Sequence, residues 1–511
     1  MRGLRAAPHT APAGLQTPAA RTGIGWICGL SVIAGAGLIL YSQTWAFAWD
    51  EGFHLLAAQL VKSGKRPYID FFHPQTPLYA YWNALWMRLG GEGWRIPHLI
   101  SALFTAAGAL LVGDFVLRRF PAVEVGNAAS QARWPIVAGC TSVLFIAVNP
   151  LILWYGTIAQ PYGLCLFAIV AAFRSAVRAV EDKLIWTAAA GFFAGAAAGA
   201  SLLTGIVPVV LLVWLLWLDR EHRRFRKLAA FLGGALVAFL PVLGLFLQSP
   251  RQVFFGAILF HLLYRAAAWP GATAQNLEVM MSWLDSLHAL LGFLLAGAGL
   301  AFMVSKSGWT PKQKQPFYLC AWLCAGLCGY LCLPHPTFQR YFLFALPFLG
   351  ALASVGLYAV TARLANPDRP GLALAIVALL LVMGLGKSMY DAERHYQWID
   401  LEQVGRKVNE LLPRQESLFA DEAIYFLSGH PPPSGMEYHD THKLSLPPAV
   451  AEQLHVVPEP ELDQWIEGGH FQMVSICNDT DRVKELGLPG VYRQKTSLQD
   501  CDLFWAPQSV R

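Results

Sequence analysis

Runs of apolar residues, each roughly 15 to 20 long, recur along the chain between short segments rich in Lys and Arg. A helix needs about 20 apolar residues to cross a bilayer core of ~30 Å. The runs at 23–41, 96–117, 134–155, 158–173, 184–203, 206–218, 228–247, 287–304, 317–333, 341–360 and 371–385 therefore predict about eleven transmembrane helices. Two of them, 206–218 and 371–385, fall below the roughly 17 residues a span normally requires, so they either borrow flanking residues or re-enter. Beyond residue 386 the pattern changes. A helical period covers 398–412, short β-like runs stand at 417–420, 471–476 and 502–505, and turn residues cluster at 429–435. The expected fold class is mainly α and polytopic, with a small soluble α/β domain over 387–511.

Composition narrows the function. Of 511 residues 55% are hydrophobic and only 14% charged, against roughly 25% charged in a soluble domain. Mean hydropathy is +0.42. These values exclude a soluble enzyme, a disordered chain and a nucleic-acid binder. The net charge of +5 does not point to a polyanionic partner, because cytoplasmic loops of membrane proteins collect Lys and Arg in any case. With the N-terminus inside, nineteen of the 38 Lys and Arg fall in the inner segments and eight in the outer ones before the tail. The chain is thus expected in the cytoplasmic membrane, multi-pass, with residues 1–22 a disordered cytoplasmic head, 23–386 the membrane domain and the tail outside. Cys320, Cys324, Cys328 and Cys332 share one helix face, which suits close helix packing better than a soft-metal site. Cys477 and Cys501 are the only two cysteines of the tail, and their pairing is left open.

The first outer segment, 43–95, is longer than a connection between two spans requires, and long ordered loops usually carry function. It opens with Asp50 and Glu51 directly after the first span. A carboxylate pressed against low dielectric without a partner has its pKa raised and becomes a competent general base. The plainer alternative is that Asp50 caps a helix starting at Glu51.

Three stretches carry a family resemblance. They are Asp50-Glu51-Gly52-Phe53-His54 with Phe72-His73-Pro74-Gln75-Thr76-Pro77-Leu78-Tyr79 and Tyr81-Trp82-Asn83-Ala84-Leu85, then 149–162 from Asn149-Pro150 to Gln160-Pro161-Tyr162, and the late 334–347 around Arg340-Tyr341. Together they resemble the GT-C superfamily of glycosyltransferases, in the branch of protein mannosyltransferases and aminoarabinose lipid A transferases with their bacterial RgtA/B/C/D-like relatives. The architecture covered is about residues 24–360. The resemblance implies transfer of a sugar from a polyprenyl-phosphate donor to a cell-envelope acceptor (a lipid, glycan or protein) on the outer membrane face, with inversion. It makes Asp50 the catalytic base, Glu51 its catalytic neighbour or positioning group, and His54, His73, Gln75 and Tyr79 part of the cavity lining. Gln160 and Tyr162 would bind substrate. Many relatives carry a second acidic residue where this chain has Gln160, which can hydrogen-bond a sugar hydroxyl but makes a poor proton acceptor.

A lipid phosphate also needs a cation at the membrane face. Arg340 is the first candidate, beside Tyr341, with a snorkelling anchor as the bland alternative. Arg265 and the Lys62, Lys65, Arg66 cluster are second choices for the phosphate. Residues 253–264 suit a helix lying in the interface, where His261 and Tyr264 are candidates for the donor's entry path and a simple membrane anchor is the bland alternative. His73, His261 and His335 are separate in sequence, so no cofactor is assigned, and a divalent metal stays open. The expected partners are the polyprenyl-phosphate donor and membrane lipid, not nucleic acid. The rival class is a transporter or flippase for a lipid-linked substrate, which predicts repeat symmetry and charges near the membrane midplane; a non-catalytic scaffold is the third.

Overall fold

The computed structural model describes residues 18–121, 126–181, 183–218, 224–263, 271–305, 308–334, 336–392, 396–439, 442, 444 and 446–508. The disordered head expected at 1–22 lies largely outside them. Every apolar run read from the sequence is met by a helix: α1 (Pro18–Thr44), α4 (Arg95–Arg119), α5 (Ala128–Ala147), α7 (Tyr162–Glu181), α8 (Leu184–Ala200), α9 (Ile206–Trp217), α10 (Arg224–Gln248), and then Leu287–Val304, Pro311–Leu331, Leu346–Leu364 and Pro370–Asp391. Between these lie α2 (Glu51–Lys62), α3 (Leu78–Gly90), α6 (Pro150–Tyr155) and α11 (Pro250–Phe254). Among the described residues seven helices are long and apolar enough to cross a membrane, so length and composition alone support fewer full crossings than the eleven expected.

Burial separates central from lipid-facing helices. The stretch Gln339–Leu364 is 94% buried, whereas the apolar stretch of α10 is 17% buried and exposes Leu232, Leu236, Leu240 and Leu247. Such leucines are stable only against hydrocarbon. Small residues let the helices close up. A Cβ on Gly191 of α8 would sit 1.9 Å from the Phe231 carbonyl oxygen of α10, and one on Gly356 would sit 1.7 Å from that of Leu295, so glycine is required at both crossings.

The run expected as one span at 134–155 is broken. Helix α5 stops at Ala147, and the Asn149 side chain accepts from the Leu151 backbone N–H at 3.0 Å to start the one-and-a-half-turn α6 at Pro150. Proline at the first helical position cannot continue the preceding helix but starts the next. As a result residues 148–161 wind across the end of the bundle, and α7 begins at Tyr162.

The tail carries a four-stranded sheet in the order β1-β2-β4-β3, with β1 (Leu418–Phe419) parallel to β2 (Met473–Cys477), and β2 and β3 (Tyr492–Leu498) both antiparallel to β4 (Cys501–Pro507). Gln499 and Asp500, with φ of 51° and 56°, form the two-residue hairpin between β3 and β4. Cys477 pairs with Cys501 across β2 and β4, and the two are joined by a disulfide. The tail does not stand apart from the first loop. Leu55, Leu56 and Ala58 of α2 share one core with Leu401 and Val404 of the helix Trp398–Leu411 and with Ile424 and Tyr425. The contact is close enough that a Cβ on Gly52 would lie 2.7 Å from the Ala423 nitrogen.

Candidate active site at the loop end of the bundle

Asp50 occupies the N-cap position of α2, but its side chain does not cap. The carboxylate turns instead toward the late helix, where Oδ2 accepts from Arg340 Nη2 at 2.8 Å. Arg340 is held by aromatic faces: its guanidinium carbon is 4.6 Å from the Phe338 ring centroid and 5.9 Å from those of Tyr155 and Tyr341. The Asp50 side chain is 50% exposed and that of Arg340 22%, so the pair lies at an opening. Arg340 Nε, buried, has no hydrogen-bond partner among the described residues.

The adjacent Glu51 is fully buried. Its Oε1 accepts from the Ala48 backbone N–H at 2.7 Å and from Trp398 Nε1 at 3.3 Å; its Oε2 accepts from the Ala159 backbone N–H at 2.8 Å. Oε2 also meets His98 Nε2 at 2.5 Å, while His98 Nδ1 faces the Ser42 carbonyl oxygen at 2.7 Å. A carbonyl only accepts, so Nδ1 carries a proton, and the contact with Glu51 holds a second proton between ring and carboxyl. Around one side chain, the first span, α4, the 148–161 crossing and the tail are thereby tied together. The tail is fastened again at Glu402, whose Oε1 accepts from Trp94 Nε1 at 2.8 Å and Arg95 Nη1 at 2.6 Å.

Behind Asp50 the first loop presents a buried polar wall. His54 is sealed from solvent, edge-on to Tyr79 at 5.4 Å, and burial first, then the neighbouring His73 ring and the Arg340 charge, hold its pKa well below the usual imidazole value. His73 is likewise buried, and burial lowers it to about 4. Both rings are therefore neutral at pH 7. Tyr68 donates its hydroxyl to the Gln75 carbonyl, which fixes the turn, and Gln75 itself is half-buried. Helix α11 continues through a π-helical segment, Phe255–Leu259, that lies against this turn. A Cβ on Gly256 would be 2.4 Å from the His73 carbonyl oxygen, and His261 Nε2 donates to the Pro74 carbonyl at 2.5 Å.

The 148–161 crossing closes the far side. Gln160 is 2% exposed and its Nε2 finds no hydrogen-bond partner among the described residues, as is true of Thr76 Oγ1. Tyr162 is buried with its ring 5.9 Å from Tyr155. Buried polar groups are almost always satisfied, and an unsatisfied one costs about 1–3 kcal/mol. A polyhydroxylated ligand would supply the missing partners.

Asp50, His54, His73, Tyr79, Gln160, Tyr162, Arg340 and Tyr341 thus stand around one end of the bundle, with Gln75 and His261 in the supporting turn. Tyr264, Arg265 and His335 lie outside the described residues. No group of three or more His, Cys, Asp or Glu side chains converges on one point among the described residues. Sequence reasoning missed His98, Trp398 and Tyr155. His98 and Trp398 are 47 and 347 residues from the carboxylate they hold, and no local pattern signals such partners.

No family model and no curated protein matches the sequence. Among solved structures the chain is similar to ArnT from Cupriavidus metallidurans bound to undecaprenyl phosphate, with a TM-score of 0.67 and 15% identity over 95% of this chain and 99% of that one. The apo state of ArnT gives a TM-score of 0.66 at 15% identity over 95% and 100%. The apo oligosaccharyltransferase of Archaeoglobus fulgidus gives 0.50 at 13% identity over 91% and 71%. At such identities the likeness is one of fold, and the chain has the GT-C membrane fold.

Proposed function

We propose that the protein is a membrane glycosyltransferase that moves a sugar from a polyprenyl-phosphate donor to a cell-envelope acceptor on the outer face of the cytoplasmic membrane. The observation that carries this reading is the turning of the Asp50 carboxylate away from its own helix to Arg340, at the mouth of a wall of buried polar groups, some of which find no partner among the described residues. The match over nearly the whole chain to ArnT, whose structure contains undecaprenyl phosphate, supports the donor class.

In the proposed reaction the acceptor hydroxyl attacks the anomeric carbon as Asp50 takes its proton. The bond from that carbon to the phosphate oxygen breaks, and polyprenyl phosphate leaves with the electron pair. Attack opposite the leaving group inverts the anomeric centre. Arg340 serves both ends of this displacement. One nitrogen orients Asp50, and the guanidinium's positive charge is assigned to the phosphate as negative charge builds on it. His54 and His73, neutral, and Gln160 are assigned to the sugar's hydroxyls. Glu51 is assigned a positioning role, because all of its lone pairs are engaged by the protein. Residues 387–511 are read as an extracytoplasmic domain that roofs the site through Trp398, and the N-terminus as cytoplasmic.

The test is mass spectrometry of envelope glycolipids and glycoproteins from cells carrying the wild-type gene, no gene, or Asp50→Asn. The reading expects a sugar-bearing species present only with the wild type. Its persistence at wild-type level with Asp50→Asn removes Asp50 from the chemistry.

A further inference from the structure

Arg340, on which the proposed reaction turns, follows an irregular stretch of chain. Between the helix Pro311–Leu331 and the 3₁₀ turn Gln339–Ala345 the described residues form neither helix nor strand, so their buried backbone groups need partners from elsewhere. One side chain supplies three of them. Asn276, in the helix Ala272–Leu284 and 3% exposed, donates from Nδ2 to the Cys332 and Pro334 carbonyls, both at 2.7 Å. Its Oδ1 accepts from the Thr337 backbone N–H at 3.0 Å. The two carbonyls only accept and the N–H only donates, so this orientation of the amide alone satisfies all three.

The same helix takes hold twice more on either side of Arg340. Ser282 Oγ accepts from Gln339 Nε2 at 2.7 Å, and the Trp283 ring lies flat on that of Phe342, with 4.9 Å between centroids and 8° between planes. Thr337 Oγ1 donates to the Leu331 carbonyl at 2.5 Å and closes the turn from within. Arg340 is thus bracketed by anchored residues, 337 and 339 before it and 342 after. A guanidinium that orients one carboxylate and meets charge on a substrate needs its backbone fixed to within about 0.5 Å. Asn is among the poorer helix formers, so its place inside this helix is explained by the turn it grips and not by helix stability.

We propose that Asn276 is a positioning residue for the transfer reaction: it fixes the 332–337 turn and, through it, the place of Arg340 against Asp50 and the donor phosphate. The inference rests on the glycosyltransferase reading for what Arg340 does, and on the hydrogen bonds alone for what holds it. Ser282 and Trp283 are the second and third anchors. Asp at 276 would set a carboxylate against two carbonyl oxygens, and Ala would leave two carbonyls and an N–H unpaired.

The experiment uses the full-length protein in neutral detergent and measures its affinity for geranylgeranyl phosphate, a short polyprenyl phosphate, with amide hydrogen exchange read in parallel. Wild type, Asn276→Ala, Arg340→Lys and the double variant are compared. Asn276→Ala is expected to weaken binding about tenfold and to speed exchange over 336–342, most of all at the Thr337 N–H. On the Arg340→Lys background the same change should cost less than about twofold, because the group it positions has already lost its fork. Equal losses on both backgrounds overturn the positioning role. Trp134→Phe, which removes a hydrogen bond to the Pro367 carbonyl near the start of α5, controls for stability. It should lower the unfolding midpoint and leave binding at the wild-type level; a loss of binding matching that of Asn276→Ala overturns the proposal. Should Asn276→Ala fail to fold, Ser282→Ala must show the same direction of loss and the same dependence on Arg340. Unchanged exchange over 336–342 in Asn276→Ala overturns the anchor whether or not the lipid binds. Failure of the wild type itself to bind the lipid counts against the donor reading instead, and the exchange data then decide the anchor alone.

Discussion

Asp50 and Glu51 are neighbours in sequence with opposite surroundings, and the contrast separates the part of this molecule that reacts from the part that holds it. At the mouth, Asp50 has one partner among the described residues, Arg340, and half of its side chain open. In the clamp behind it, Glu51 has four donors and no exposure. A group that must exchange a proton with substrate needs an unfilled coordination site. A group whose lone pairs are all occupied by the protein can only fix geometry. One residue of helix advance, roughly 100° of rotation, is enough to send two identical functional groups to these two fates.

Mutation should split the two regions. The largest effect is expected from Asp50→Asn, with transfer falling about 10²–10⁴-fold, the usual range for loss of a general base, and no change in unfolding midpoint; this is read from purified protein and a labelled polyprenyl-phosphate sugar. Arg340→Lys keeps the charge but loses the fork that serves carboxylate and phosphate together. It should reduce kcat/KM for the donor about tenfold or more, which steady-state kinetics over donor concentration will show. Glu51→Gln places an amide N–H₂ where only acceptors are accommodated. It should cost about 2–4 kcal/mol of stability, visible as a lower denaturation midpoint and a looser tail by hydrogen exchange, with activity recovering at low temperature.

The smallest effect concerns pH. His73 has its pKa depressed to about 4 in the folded protein. Its contribution to stability is present above the unfolded value near 6.5 and is lost as the pH falls toward 4, because only the unfolded chain takes up the proton there. The Glu437 carboxyl, raised by burial to about 7, works in the opposite direction, stabilising below its unfolded value and losing that contribution as the pH rises through 7. The comparison that isolates His73 is the difference in unfolding midpoint between wild type and His73→Gln, which should change between pH 6.5 and 4 and be flat above. A flat difference throughout would mean that His73 is solvated.

The helices were legible because runs of apolar residues long enough for a bilayer have few other uses. The crossing at 148–161 was not: Asn149-Pro150 sits inside a continuous apolar run, and only the Asn149 side-chain cap shows that the chain restarts there. Strand β3 was also missed, since Arg493-Gln-Lys-Thr-Ser497 lies mostly exposed on a sheet edge and lacks the apolar alternation that marks a half-buried strand. Around the site, Asp50 and Arg340 stand out as scarce charges beside apolar spans, yet nothing local says that residues 290 apart in sequence meet. The clamp was least visible. The role of Glu51 is set by His98, Ala159 and Trp398, each remote in sequence and each unremarkable in its own segment.

The most direct test sets Asp50→Asn beside Glu51→Gln in one experiment, measuring sugar transfer and unfolding midpoint for both purified proteins. The account predicts wild-type stability without transfer for Asp50→Asn, and lowered stability with residual transfer for Glu51→Gln. Wild-type transfer by Asp50→Asn, or undiminished stability with complete loss of transfer in Glu51→Gln, would contradict it by exchanging the roles of the two carboxylates.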